Sequence, residues 1–245
     1  MKNLIGKIAV FAIVAAAPLM QSCLKDKSLD MYYANAIVTV KPLDDGGFYL
    51  QLNDEVALLP VNMDRSPYDK EQRAFVNYTP TNEDAGEYDQ AVKVNWFREI
   101  LTKDMVQPAA GTDLDAEYGD DPVEIMASWM TVVEDGYFTI HFETYSSGNG
   151  VTHKVNLVQP DPEKPYELEF RHDASGDVYG SRVWSVAAFK LSALELTEGQ
   201  KVEIKLKWDS YSGEKTHVFE YTPGEALSSG QEGNDPGQQS MLTIE

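Results

Sequence analysis

The chain contains almost no cysteine: Cys23 is the only one among 245 residues. A single thiol forms no disulfide within the chain and supplies no cysteine cluster for a metal ion. Both of these sources of stability are therefore excluded. The hydrophobic fraction of 42% and the chain length suffice for one large core or two modest ones, so we expect packing to stabilise the fold.

Basic residues are also scarce, with 20 Lys and Arg against 40 Asp and Glu and a formal net charge of −20. A chain this acidic is repelled by phosphate backbones and by anionic lipid surfaces. We expect no nucleic-acid partner. The acids belong either to a solvated exterior or to an acidic ligand site, and their number favours the exterior.

A hydrophobic run long enough to cross a membrane is missing from the start of the chain. After Lys2 and Lys7, residues 8–20 read IAVFAIVAAAPLM without a charge, which is a basic region followed by the apolar core of a signal peptide. At about 1.5 Å per residue this run spans roughly 20 Å, against the roughly 30 Å of a bilayer core. We predict a cleaved signal peptide over residues 1–22.

The residues that end in Cys23 read LMQSC and resemble the lipobox of bacterial lipoproteins. The resemblance implies that the Cys23 thiol receives a diacylglycerol, that the signal is cut before it, and that the new amine is acylated. Three acyl chains hold a protein on a membrane permanently. We expect a lipid anchor at Cys23, a tether over residues 23–33, and a location in the bacterial cell envelope at the outer membrane, with the leaflet left open.

Most of the chain lacks a sustained apolar period of 3.6 residues and reads as short strands separated by turn residues. The DDGG sequence at residues 44–47 is one such turn. A short helix is predicted within WFREILTKDM, where apolar residues have helical spacing. We predict a small barrel domain over residues 34–102. Its five strand candidates are 34–41, 47–52, 55–61, 73–79 and 90–97.

The sequence after the barrel predicts a linker, a second domain and a tail. Residues 103–122 carry six acids, two prolines and two glycines, which is typical of an acidic linker. Residues 223–245 are rich in Gly, Ser, Gln and Pro and predict a disordered tail. Residues 123–222 hold seven strand candidates, the number found in a β-sandwich. These are 123–134, 137–145, 151–159, 166–171, 182–190, 201–208 and 215–222.

Taken in this order, the whole chain resembles the NigD-like lipoproteins. The stretches that carry the resemblance are QSCLKD at the anchor, AIVTVKPLDDGGFYLQLNDEVALLPVN in the first domain and SVAAFKLSALELTEGQKVEIKLKWDSYSGEK in the second. The resemblance implies an all-β fold, with a five-stranded OB-like barrel followed by a seven-stranded β-sandwich. It also implies a role in bacteriocin immunity, and it supplies no catalytic residues.

The Asn149-Gly150 pair is the strongest hairpin signal in the sequence. A two-residue turn at this pair places Phe142 opposite Leu157, so that the apolar faces of the two strands agree. A slip by one residue would break this match, because neighbouring side chains point to opposite faces. We therefore predict a hairpin between the strands on either side of Asn149-Gly150.

The four histidines raise the question of a metal site. In the predicted hairpin, His141 and His153 point to opposite faces and do not share an ion. His217 alternates with apolar residues on a predicted buried face, and His172 falls in a predicted loop. We expect structural histidines and no bound metal.

The sequence contains no recognisable catalytic constellation. The spacings GxSxG, HExxH, the phosphate-binding loop and GxGxxG are all missing. Asp113, Asp115 and Glu117 alternate like part of a calcium loop, but Tyr118 stands where an EF-hand requires glycine. We predict that the protein is not an enzyme and binds no cofactor.

The second predicted strand offers a candidate ligand face. Phe48 and Leu50 would point into the barrel, which leaves Tyr49 and Gln51 on its outer surface, while Asn95 projects outward from the fifth strand. OB domains commonly bind ligands on the face around their second and third strands. We predict that Tyr49, Gln51 and Asn95 belong to such a face.

These features favour a lipid-anchored, non-catalytic envelope protein that binds a protein or peptide. An acidic exterior speeds the encounter with a basic partner such as a toxin. Glycan binding is the alternative, because 13 tyrosines and 4 tryptophans could supply stacking platforms, and a hydrolase is the third class considered. The sequence leaves the ligand and the oligomeric state open.

Overall fold

The computed structural model describes residues 34–225 and 241–245. Its first five strands close into a barrel in the order β1-β2-β3-β5-β4, because β1 pairs with both β2 and β4. All five strands predicted for the first domain are confirmed. They are β1 Ala34–Pro42, β2 Phe48–Gln51, β3 Ala57–Pro60, β4 Gln72–Pro80 and β5 Gln90–Glu99.

Alternation of apolar and polar residues builds the barrel core. On β2, Phe48 and Leu50 are buried, whereas Tyr49 and Gln51 are half-exposed, because successive side chains of a strand point to opposite faces. The turn into β2 contains Gly46 with a φ of 88°, a left-handed conformation that favours glycine. The core includes Val38, Val40, Leu50, Leu58, Val76 and Val92.

The described residues after the barrel form two packed sheets and one short helix. One sheet has the order β10-β11-β13-β14, and the other has the order β6-β12-β9-β7, with β8 also paired to β9. Their shared core includes Phe138, Phe142, Leu157, Phe170, Phe189 and Leu206. The elements are β6 Leu101–Asp104, α1 Leu114–Tyr118, β7 Glu124–Ile125, β8 Val132–Glu134, β9 Tyr137–Ser146, β10 Lys154–Val158, β11 Glu167–Asp173, β12 Ser181–Lys190, β13 Val202–Ser210 and β14 Gly213–Tyr221.

The predicted all-β fold of an OB-like barrel and a β-sandwich is confirmed. The first of the seven predicted sandwich strands is divided into β7 and β8, and β6 joins the same sheet. The helix predicted within WFREILTKDM does not form, because these residues belong to β5 and β6. Pairing with β4 and β12 outweighs the local helical spacing.

The segment predicted as a linker, residues 103–122, has structure at its start and in its middle. Lys103 and Asp104 end β6, which pairs in parallel with β12. Asp113 caps α1, because its side chain accepts a hydrogen bond from Ala116 N at 3.2 Å. This segment therefore contributes a strand to the sandwich as well as a connection.

The hairpin predicted at Asn149-Gly150 is wrong. β9 pairs along its length with β12, whereas β10 pairs with β11 in the other sheet. Residues 147–153 therefore cross from one sheet to the other. Phe142 and Leu157 both reach the sandwich core, so the apolar faces were assigned correctly although the two strands do not pair.

The last five residues depart from the predicted disordered tail over residues 223–245. Residues 241–245 lie between the two sheets, where Leu242 N donates to Trp184 O at 2.8 Å and His153 N donates to Thr243 O at 3.1 Å. Leu242 is 8% exposed and belongs to the sandwich core. The apolar residues of MLTIE are few, but they are sufficient to dock this short segment.

Buried charges join the barrel to the sandwich. Arg73 of β4 donates to Glu134 of β8 at 2.5 Å, and their side chains are 0% and 1% exposed. Lys41 of β1 pairs with Asp135, which directly follows β8, at 2.8 Å. These contacts fix the barrel against the sandwich.

Candidate ligand-binding face of the barrel

A stacked tyrosine pair marks one face of the barrel. Tyr49 projects outward from β2, and its ring centre lies 5.2 Å from that of Tyr88 with an interplanar angle of 30°. Tyr88 belongs to the β4–β5 loop, residues 81–89, and both side chains are half-buried. Stacked aromatic rings attract each other, so the pair forms an aromatic platform at the surface.

The two loops that lie beside this pair carry acidic residues. Burial and the nearby carboxylates of Glu87 and Asp45 raise the pKa of Tyr88, so charges from both loops act on the same phenol. We call Tyr49, Tyr88, Asp44, Asp45 and Glu87 the acidic tyrosine face. The acids of the two loops are Asp44 and Asp45 between β1 and β2, and Glu83, Asp84, Glu87 and Asp89 between β4 and β5.

The barrel holds the acidic tyrosine face in position. Asp89 N donates to Ala57 O at 2.9 Å, and Ala57 N donates to the Asp89 carboxylate at 2.8 Å, so the β4–β5 loop is tied to β3. Lys41 is opposite Tyr49 on β1, but its ammonium group is paired with Asp135 at 2.8 Å. The positive charge of Lys41 is therefore already neutralised by the Asp135 carboxylate of the sandwich.

The two other residues predicted for the ligand face have structural partners. Gln51 Nε2 donates to Asn53 O at 2.7 Å and supports the β2–β3 turn. Asn95 Nδ2 donates to Asn77 Oδ1 at 2.7 Å, on the β4 side of β5. Because β3 lies between β2 and β5, the structure does not bring Asn95 next to Tyr49.

Sequence reasoning missed Tyr88 and the acids of both loops as members of the site. The sequence contained a signal for these residues. DDGG and NEDAGEYD are the β1–β2 and β4–β5 loops, which line the ligand face of an OB barrel. Each loop by itself has only the composition of a turn. The pairing of β3 with both β2 and β5 brings the two loops together.

The histidines occupy positions that differ from the predictions. His172 lies in β11 and is 1% exposed, whereas His217 lies in β14 and is exposed. His153 Nδ1 lies 2.8 Å from His172 Nε2, and His153 Nε2 lies 3.3 Å from the Asp177 carboxylate. Burial, with His153 as a further cause, lowers the pKa of His172 to about 4, so this ring is neutral at pH 7.

The remaining candidate metal residues serve as structural groups. His141 Nδ1 lies 2.9 Å from Ser128 Oγ, and burial lowers the pKa of His141 to about 4. Asp115 pairs with Arg171 at 2.6 Å. Within residues 34–225 and 241–245, no three His, Cys, Asp or Glu side chains converge on a position suited to a metal ion.

The predicted lipid-attachment residue, Cys23, lies outside the described residues, as do the predicted signal peptide and tether. In the part of the chain that the structure describes, no helix has the length and apolar character needed to span a membrane.

Solved structures with the same fold were found. A candidate toxin-related protein from Parabacteroides distasonis ATCC 8503 is 34% identical, with a TM-score of 0.67 over 78% of this chain and 94% of that one. A NigD-like immunity protein from Bacteroides caccae ATCC 43185 is 22% identical, with a TM-score of 0.57 over 78% of this chain and 99% of that one. A candidate lipoprotein from Bacteroides fragilis NCTC 9343 is 13% identical, with a TM-score of 0.51 over 78% and 98%.

Family models match both domains. Residues 37–100 match the NigD-like N-terminal OB domain, and residues 105–221 match the NigD-like C-terminal β-sandwich domain. A search of curated proteins gave no significant match. Both matched ranges follow the division between barrel and sandwich seen in the structure, and the chain therefore belongs to the NigD-like family.

Proposed function

We propose that this protein binds a basic protein or peptide at the acidic tyrosine face and that it does so from a lipid anchor in the bacterial cell envelope. The observation that carries the proposal is the stacked Tyr49–Tyr88 pair between two acidic loops. The second strand and the β1–β2 and β4–β5 loops form the usual ligand position of an OB barrel. Here that position is negatively charged.

The chemistry of the face favours a cationic ligand. Carboxylates on both sides of the tyrosines steer a basic partner towards them and repel phosphate. A lysine or arginine side chain can then lie over a tyrosine ring, where the cation–π attraction adds to the charge attraction. Tyrosines are frequent anchor residues in protein interfaces, so the face combines a steering element with a contact element.

The lipid anchor and the immunity role complete this proposal. The sequence LMQSC at Cys23 supports acylation, and two or more acyl chains give stable membrane attachment. A neighbour of the same fold is described as a NigD-like immunity protein. An anchored protein that captures a basic bacteriocin before it reaches its target needs an acidic binding face and no catalytic residues.

Deleting the gene and challenging the cells with the bacteriocin of a producer strain tests this function. We expect the deletion to increase sensitivity and the wild-type gene to restore resistance. The Tyr49→Ala/Tyr88→Ala variant should fail to restore it, whereas the control Tyr118→Ala, on α1 of the sandwich, should succeed. Unchanged sensitivity would remove the immunity role.

A glycan ligand is the second candidate, because a tyrosine ring also stacks on sugars. Retention on immobilised polysaccharide at high salt, lost on Tyr49→Ala, would replace the basic ligand with a neutral glycan. Binding to a neutral glycan should hardly depend on salt, since no charge attraction is screened.

A further inference from the structure

Three exposed tyrosines gather at one end of the sandwich, away from the acidic tyrosine face. Tyr145 is 38% exposed, Tyr179 is 78% exposed and Tyr211 is 46% exposed, and they are three of the five large exposed hydrophobic residues in the described chain. Tyr145 is the penultimate residue of β9, and Tyr179 precedes β12, the antiparallel partner of β9. The ring of Tyr211, from the β13–β14 turn, lies 5.2 Å from that of Tyr145.

The loops at this end have an unusual composition for so acidic a chain. Residues 147–152 read SGNGVT, residues 174–180 read ASGDVYG, and residues 211–212 read YS. The one charged residue among them, Asp177, is buried. Tyr, Ser, Gly and Asn are the residues that antibody loops use to contact protein antigens. We call these three loops and the three tyrosines the tyrosine loop surface.

A buried polar network holds two of these loops together. Asp177 accepts hydrogen bonds from Ser146 Oγ at 2.7 Å and from Ser147 N at 2.8 Å. His153 lies 3.3 Å from the same carboxylate and 2.8 Å from His172 of β11. The network connects loop 174–180 to loop 147–152 and both to a core strand, so the loops are fixed before any partner arrives.

The backbone of loop 174–180 shows the same fixed geometry. Ser175 has a φ of 51° and Gly180 has a φ of 119°, and a side chain at Gly180 would collide with the backbone of Ser146. Such conformations persist only where the surrounding structure imposes them. The backbone of the loop is therefore held in one conformation, with Tyr179 exposed to solvent, which lowers the backbone entropy lost on binding.

We infer that the tyrosine loop surface is a second binding site, for a folded protein whose contact area is uncharged. The loops carry no exposed charge although the chain has a net charge of −20. Arg182, which lies opposite Tyr145 on β12, is paired with Glu143 at 2.6 Å, so charge attraction does not select the partner. The rings of Tyr145 and Tyr211 meet edge to face at 81°, which offers an irregular contact rather than the flat platform that suits a sugar ring. Tyrosines on fixed loops among small polar residues fit a protein surface.

Photocrosslinking in living cells tests the inference on the full-length protein. The probe is p-benzoylphenylalanine in place of Tyr179, and the control carries it in place of Val218, which is 45% exposed on β14. We expect a discrete adduct with one protein from position 179 and not from position 218. Its yield should stay the same between low and high salt and should fall about tenfold when Tyr145→Ser and Tyr211→Ser are added.

Three results would overturn the inference. The first is the same adduct pattern from positions 179 and 218. The second is an adduct that disappears at high salt or on Asp44→Asn/Glu87→Gln, which would assign the partner to the acidic tyrosine face. The third is retention of the purified protein on immobilised neutral polysaccharide that is lost on Tyr179→Ala. Thermal unfolding of each variant, compared with that of the wild type, verifies that the fold is intact.

Discussion

At the scale of single residues, the buried pair of Arg73 and Glu134 dominates the junction between the domains. Burial raises the pKa of Glu134 to about 7, although the charge and hydrogen bond of Arg73 act in the opposite direction. One oxygen of Glu134 and Nε of Arg73 have no hydrogen-bond partner. The pair therefore positions the domains at an energetic cost, and each partner is needed to compensate the charge of the other.

Removing one member of this pair should destabilise the protein strongly. We expect Arg73→Met to lower the free energy of unfolding by about 3–5 kcal/mol, because it leaves Glu134 buried without a counter-charge. The double variant Arg73→Met/Glu134→Leu should recover much of this loss. Urea denaturation measures both, and Lys93→Met, which breaks an exposed pair with Glu83, is the control with a loss of roughly 1 kcal/mol or less. Equal losses for Arg73→Met and Lys93→Met would contradict this account.

The neutral ring of His172 should make stability depend on pH. Its pKa is lowered from 6.5 to about 4 in the folded protein, so the unfolded chain binds a proton between these values that the folded chain does not. Stability from this residue is therefore complete above pH 6.5 and is lost as the pH falls towards 4, by on the order of 3 kcal/mol. Urea denaturation from pH 4 to pH 7 should show this slope.

Comparison with variants isolates the contribution of His172. Glu134 acts in the opposite sense, because its raised pKa removes stability as the pH rises from 4.5 towards about 7. His172→Gln should reduce the loss of stability at acidic pH, whereas His217→Gln, at an exposed site, should leave it unchanged. A His172→Gln profile parallel to that of the wild type would show that the ring does not resist protonation.

At the scale of secondary-structure elements, alternation was the most informative signal in the sequence. It predicted all five barrel strands and placed Tyr49 on the outer surface, because one face of each strand must be buried. Alternation does not predict which strands pair. The Asn149-Gly150 turn signal predicted a hairpin between β9 and β10, but β9 pairs along its length with β12. The stacking of Tyr88 on Tyr49 depends on the parallel pairing of β3 with β5, which no local pattern encodes.

The docked segment 241–245 also escaped sequence reasoning, and its contribution can be measured. Leu242 is 8% exposed in the sandwich core, so we expect Leu242→Ala to lower the free energy of unfolding by about 2 kcal/mol. Thr243 lies next to it but is exposed, and Thr243→Ala should change stability by less than about 0.5 kcal/mol. Chemical denaturation of both variants measures the two changes in the free energy of unfolding. Equal small effects would mean that the segment is not docked in solution.

At the scale of the whole molecule, two different surfaces lie on two domains that are fixed to each other. The barrel carries the acidic tyrosine face, and the sandwich carries the uncharged tyrosine loop surface. The buried Arg73–Glu134 pair and the half-buried Lys41–Asp135 pair hold the domains in one arrangement. The two proposed sites are therefore separate, so the proposed basic ligand and the proposed protein partner do not compete for one surface.

The anchor makes a separate prediction about the whole molecule. We expect Cys23→Ser to abolish incorporation of labelled palmitate and to move the protein from the detergent phase to the aqueous phase, because the acyl chains supply the membrane affinity. Ser22→Ala, which keeps a small residue before the cysteine, is the control and should retain the label. Labelling that persists in Cys23→Ser would show that the chain is not acylated at this residue.

Fluorescence anisotropy with a labelled decalysine peptide measures whether the acidic tyrosine face binds a basic ligand. We expect binding to weaken steeply between low and physiological salt. Asp44→Asn/Glu87→Gln should weaken binding more than Glu163→Gln/Glu195→Gln, which removes the same charge from the sandwich. Tyr49→Ala should weaken binding without a change of charge, because a cation–π contact is lost. Equal binding by the two charge variants, with no effect of Tyr49→Ala, would contradict the account.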